Sequence, residues 1–133
     1  MNIETEHQLI NADNATVFNF LDDLNNYKVL FPQDKLENWD ATAEYCTCKI
    51  TGLSDIGLKK DTSTANSLVA LNSYGKSPIK FTLNIHLSEE SDSTTKAYLV
   101  FEGDINPFMK MMLEKPLTKL FNSIAYRLKT HFN

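Results

Sequence analysis

Few residues in this chain are of a type and spacing that could do chemistry. Cys46 and Cys48 stand two apart, so on a strand both thiols point to one side together with Ile50. A metal site there needs a third ligand, and only His7, His86 and His131 could add an imidazole. His86 falls on the opposite parity from the apolar residues of its segment, and His131 is almost terminal. Two small thiols in a core are therefore the expected reading, and they suit a reducing compartment. His7 shares a face with Ile3 and Leu9 in an alternating segment, which would aim it inward. An inward imidazole could act as a general base or orient a ligand; the plainer reading is a core or edge histidine. The segment Gly52-Leu53-Ser54-Asp55-Ile56-Gly57-Leu58-Lys59 superficially echoes a phosphate loop. Its lysine is one place late, no Ser or Thr follows, and the setting is strand-turn-strand, so that reading is rejected. Glu102 and Asp104 lie on the parity opposite Leu99, Phe101 and Gly103, and no acid–base pair can be named. The Met109, Met111 and Met112 cluster is the most suggestive feature, since methionine adapts to irregular apolar shapes.

Composition excludes several classes. The four glycines cannot build a dinucleotide loop, the two cysteines cannot build a disulfide scaffold, and no stretch approaches the roughly 20 apolar residues of a membrane span. No cofactor, metal or integral membrane association is expected. The formal charge is −4, but residues 1–105 hold 8 basic and 16 acidic side chains (a balance of −8), while residues 106–133 hold five basic and one acidic (+4). A basic helix on an acidic body could suggest nucleic acid or an anionic surface. A solvated helix face is the ordinary account, because dedicated nucleic-acid domains usually carry net positive charge, and no nucleic-acid partner is expected. The opening MNIETEHQLI has two acids and no apolar run, so no secretory signal is expected and the cytoplasm is the expected location.

The elements that must position these residues follow from periodicity. Asn2 to Ile10 alternates as a half-buried strand, then Asn11 or Asp13 can cap a helix carrying Val17, Phe18, Leu21 and Leu24. A short helix around Asn25 to Phe31 stops at Pro32. From Leu36 to Ile105 the chain reads as about six strands, with turns at Gly52–Gly57, Tyr74–Pro78 and Ser88–Thr95. Ile79, Phe81, Leu83, Ile85 and Leu87 give the cleanest alternation. Asn106 and Pro107 then open a long helix with a stripe at Leu113, Leu117, Leu120, Ile124 and Leu128, and Pro116 should kink or loosen it. The order predicts one α+β domain spanning 1–133, a curved antiparallel sheet of about seven strands covered by the C-terminal helix.

The Ala15-to-Asp23 helix, the Leu30-Phe31-Pro32 stop and the Asn106-to-Phe132 helix together resemble the SRPBCC helix-grip superfamily. That superfamily includes START lipid-transfer domains, the birch-pollen allergen and polyketide cyclase/aromatase-like proteins. The resemblance implies a mostly apolar cavity between concave sheet and long helix, and it brings no family-wide catalytic motif to these positions. The expected walls are Phe81, Leu83, Phe101, Met109, Met112, Leu117, Leu120 and Phe121, with His7 as the polar member. The expected function is binding of a hydrophobic or amphipathic small molecule, such as a lipid, polyketide or isoprenoid. A cyclase/aromatase-like enzyme and a protein-interaction module are the alternatives. Ligand identity and oligomeric state are left open.

Overall fold

Local chemistry sets the first helices. In the computed structural model, which describes residues 1–133, Asp13 caps α1 (Asn14–Leu21): its carboxylate accepts from the Thr16 N–H at 2.8 Å. The Thr16 side chain first, and its backbone N–H second, lower the Asp13 pKa below its ordinary value. Asp23 repeats the device for a 3₁₀ helix, Leu24–Leu30, whose backbone turns extended at Phe31 just before Pro32. Val17, Phe18, Leu21, Leu24, Tyr27 and Leu30 bury one continuous apolar face.

The remaining chain before the last helix is strand: β1 (Asn2–Glu4), β2 (Gln8–Ile10), β3 (Leu36–Ala41), β4 (Tyr45–Ile50), β5 (Ser54–Lys60), β6 (Leu68–Ser73), β7 (Phe81–Ser91) and β8 (Thr94–Gly103). All pair antiparallel in the order β1-β8-β7-β6-β5-β4-β3, with β2 continuing the β1 edge along β8. This is the expected curved sheet, with its first strand split in two. Phe81, Leu83, Ile85 and Leu87 face inward as their alternation predicts, and so do Cys46, Cys48 and Ile50. Two turns differ from the sequence reading. Gly57 lies inside β5, and the tight turn is at Gly52, whose φ of +83° suits a residue without a side chain. The strands β7 and β8 run through the polar Ser88–Thr95 stretch and leave only Asp92 and Ser93 between them.

The split in the first strand decides the fate of His7. Ile3 pairs with Phe101 but Leu9 pairs with Lys96, so one extra residue is inserted between the two ladders. Thr5 fills the gap: its hydroxyl accepts from the Leu99 N–H at 2.9 Å and donates to the Glu6 carbonyl. A one-residue slip sends every later side chain to the other face. Leu9 therefore faces solvent, Ile10 is fully buried, and His7 lies on the outer surface. The opposite edge is interrupted as well. In β3, Asn38 adopts φ +56° and the pairing with β4 shifts register between Glu37 and Asp40.

The closing helix, α2 (Pro107–His131), starts as expected: the Asn106 side chain accepts from the Met109 N–H at 2.8 Å and Pro107 takes the first position. It runs on through Pro116, which supplies no N–H to the Met112 carbonyl. Its buried residues are Leu117, Leu120, Phe121, Ile124, Ala125 and Leu128, all beyond that proline. They join the sheet, α1 and the 3₁₀ helix in a core cluster of 29 buried residues. Burying each large side chain contributes about 1.5–3 kcal/mol, and this face is what holds α2 on the sheet.

Candidate functional site: the crevice under the closing helix

The interior between sheet and helix is nearly filled. Phe101 stacks at 5.0 Å from both Phe81 and Phe121, forming an aromatic row across the space. Gly103 makes room for it, since a β-carbon there would come within 3.0 Å of the Phe101 ring. What remains under α2, on either side of Pro116, is a cavity of about 20 Å³, walled by Leu53, Ile56, Ile79, Phe81, Phe101, Leu113, Leu117 and Phe121. That volume is enough for about one water molecule.

Beside this cavity, at the surface, lies a groove of about 400 Å³. Pro32 and Lys35 form one bank, Ile50 to Leu53 the floor, and Lys115, Pro116, Lys119, Leu120 and Ser123 the helix side. Leu53 borders both spaces, so the groove and the cavity meet at one side chain. The rim turns are fixed by backbone fit. A β-carbon at Gly57 would overlap the Tyr74 carbonyl oxygen, and the Ser77 hydroxyl accepts from the Gly57 N–H at 2.7 Å.

The expected walls divide accordingly. Phe81, Phe101, Leu117 and Phe121 line the cavity, Leu83 is buried behind them, and Leu120 lines the groove. Three expectations need correction. Met112 is 60% exposed and Met109 half-buried, and neither borders the cavity, because both lie on turns of α2 ahead of its buried face, which starts at Leu117. His7 is outside altogether, stacked at 4.1 Å on Tyr98 and hydrogen-bonded to Glu4 at 3.2 Å, as the edge bulge dictates. His86 stacks on the other side of Tyr98 at 4.9 Å. Sequence reasoning missed Leu53, Ile56 and the three lysines, and placed Ile79 on the apolar face of its strand without naming it a wall. An apolar Leu53 beside a turn glycine and lysines one turn apart around Pro116 were the available signals.

Titratable groups inside are held neutral. Burial first, then the neighbouring Cys48, pushes the Cys46 thiol up to about 12. Burial and the Asp55 carboxylate take Cys48 to about 12 as well. Neither is a ready nucleophile at neutral pH. Tyr27 is raised well above its ordinary range by burial and donates to the Leu21 carbonyl at 2.8 Å. No group of three or more His, Cys, Asp or Glu is arranged to hold a metal ion. A larger depression of about 820 Å³ lies around Asn2, Asn72, Lys80, Thr82, Glu102 and Asp104, with only Met1 and Phe81 apolar. It is an open polar surface and gathers no buried reactive group.

No protein-family model and no curated protein sequence matches the chain. Solved structures do. The di-domain aromatase/cyclase BexL from the BE-7585A biosynthetic pathway superposes with a TM-score of 0.73 at 13% identity over 98% of this chain, which spans 45% of that protein. Norcoclaurine synthase from Thalictrum gives 0.72 at 10% identity, covering 100% of this chain and 96% of the other. A START superfamily protein from Mycobacterium smegmatis gives 0.66 at 11% identity over 98% of both chains. The fold is therefore the SRPBCC/START-like helix grip. No helix is long and apolar enough to cross a membrane.

Proposed function

We propose that residues 1–133, acting as one domain, bind a hydrophobic or amphipathic small molecule between the sheet and α2. The observation that carries this reading is the sharing of Leu53 by an apolar cavity and an apolar-floored surface groove, beneath the turns of α2 on either side of Pro116. The cavity of about 20 Å³ admits no ligand as it stands. Entry requires the first half of α2 to lift, and Pro116, which lacks a hydrogen-bond donor, is where the helix yields most easily. Affinity then comes mainly from apolar burial, at about 25 cal/mol per Å².

A cyclase-like reaction, suggested by the name of one structural neighbour, would have to draw on Ser54, Asp55 and Ser77 at the cavity rim. Ser77 is already engaged with Gly57 and with the Tyr74 carbonyl. A partner-docking role is favoured by one observation, the exposure of Phe108, Met111 and Met112 at 69%, 84% and 60%.

Titration with the neutral fluorophore Nile red, together with native mass spectrometry of freshly purified protein, tests the proposal. Saturable uptake of one molecule per chain is expected, blocked by Leu53→Trp and retained when Phe108, Met111 and Met112 are all changed to Ser. Absence of uptake overturns the proposal. Uptake lost in the triple serine variant but kept in Leu53→Trp assigns the binding to the exposed tip instead.

A further inference from the structure

The groove at Pro116 has a charge pattern unlike the rest of the molecule. Of its 11 lining residues three are lysines, Lys35, Lys115 and Lys119, and none is acidic, in a chain with 17 acids and a net charge of −4. The lysines arrive from two distant places: Lys35 precedes β3, while Lys115 and Lys119 sit one helical turn apart on either side of Pro116. None has a carboxylate within 4.0 Å; the ion pairs of the molecule are His7–Glu4, Lys60–Asp22 and Lys110–Glu114. Thr51, the hydroxyl on the floor, already donates to Glu37 at 2.9 Å. Three like charges thus converge on the apolar Ile50, Leu53 and Leu120, and the Glu37 carboxylate, held by the Thr51 hydroxyl, pairs with none of them within 4.0 Å.

We infer that this groove seats the anionic head group, a carboxylate or phosphate monoester, of a single-chain amphiphile whose alkyl tail passes Leu53 into the space beneath α2. This rests on the ligand-binding reading above and names the ligand class for it. A flexible ammonium is a point charge that suits either head group, and three of them need no fixed geometry. The lysines stay hydrated, so pairing with an anion costs little desolvation and gives a salt-sensitive preference. A groove of about 400 Å³ falls within the range of small-molecule sites.

Calorimetric titration of the full chain, below micelle-forming concentrations, compares dodecyl phosphate, dodecanoate, dodecanol and inorganic phosphate. Both anionic amphiphiles are expected to bind about tenfold more tightly than dodecanol, with the advantage shrinking at high salt. Changing Lys35, Lys115 and Lys119 together to Gln removes that advantage and leaves dodecanol binding in place. A control with Lys76, Lys80 and Lys96 changed to Gln keeps it, which separates the groove from net charge. All six lysines are surface residues whose loss leaves the core intact, as unchanged thermal midpoints will verify. Equal binding of the anionic amphiphiles and dodecanol overturns the head-group inference while the ligand-binding reading stands. Inorganic phosphate binding as tightly as dodecyl phosphate overturns it by removing the tail. Failure of every dodecyl compound overturns the ligand-binding reading itself.

Discussion

The two halves of α2 share a helix and little else. Beyond Pro116 the helix is clamped: Leu117, Leu120, Phe121, Ile124 and Leu128 are buried, the Asn122 side chain accepts from the Glu6 N–H at 2.8 Å, and Phe20 packs on His131 and Phe132. Before Pro116 nothing is buried, Leu113 is partly buried against the core, and Phe108, Met111 and Met112 stand in solvent. The ion pair Lys110–Glu114, 3.8 Å apart and exposed, adds little to the first half. Helical stability comes mostly from packing of an apolar face, so the first half is the part free to open locally while the second stays folded. Local opening of this kind needs no global unfolding.

The comparison can be strained from the clamped side first. The 3₁₀ helix packs on the clamped half of α2, and its Tyr27 lies beside Cys46. Because burial raises both thiols from an ordinary 9.0 to about 12, the folded chain keeps their protons where the unfolded chain releases them. Their stabilising effect is complete below pH 9 and is lost as pH rises from about 9 to 12. Urea unfolding across pH 8 to 11 should show this fall, and a Cys46→Ala/Cys48→Ala variant should show a shallower one. An equal slope in both would mean that the thiols are not buried as described.

Truncation compares the halves directly. Phe121→Ala should cost about 3–5 kcal/mol in denaturant unfolding, whereas Met111→Ala should stay within about 0.5 kcal/mol. A similar cost for both would erase the distinction. The smallest effect is expected at the boundary. Pro116→Ala restores a backbone hydrogen bond and should stabilise the chain by about 1 kcal/mol, well below the full helix-interior penalty because the surrounding turn is already exposed. Its signature should be slower amide hydrogen exchange over residues 108–115 and slower uptake of Nile red. Unchanged exchange there would move the hinge away from Pro116.

Much of this architecture was legible in the residues, and the failures share a cause. Strand β7 was readable because Phe81 to Leu87 alternate against a continuous core, and both helix starts were readable because Asp13 and Asn106 cap with their own side chains. Parity counting failed at His7, where a single inserted residue reverses the face and nothing in the local composition marks it. Periodicity also misled at Met109 and Met112. It shows which side of a helix is apolar, but not whether a sheet lies opposite it. The groove combines Lys35, Leu53 and Lys119, residues far apart in the chain that meet only once the sheet has curved. Composition near any one of them gives no hint of the others.

The interruptions at the two margins of the sheet have a consequence of their own. The β1–β2 margin holds runs of only three residues on either side of its bulge, and β3 breaks register at Asn38. An incoming strand from another molecule would find only a few consecutive free backbone groups at either margin before its pairing failed. The curvature that lets the sheet wrap a helix thus ends in frayed borders that discourage chain-to-chain β-pairing, and with it aggregation.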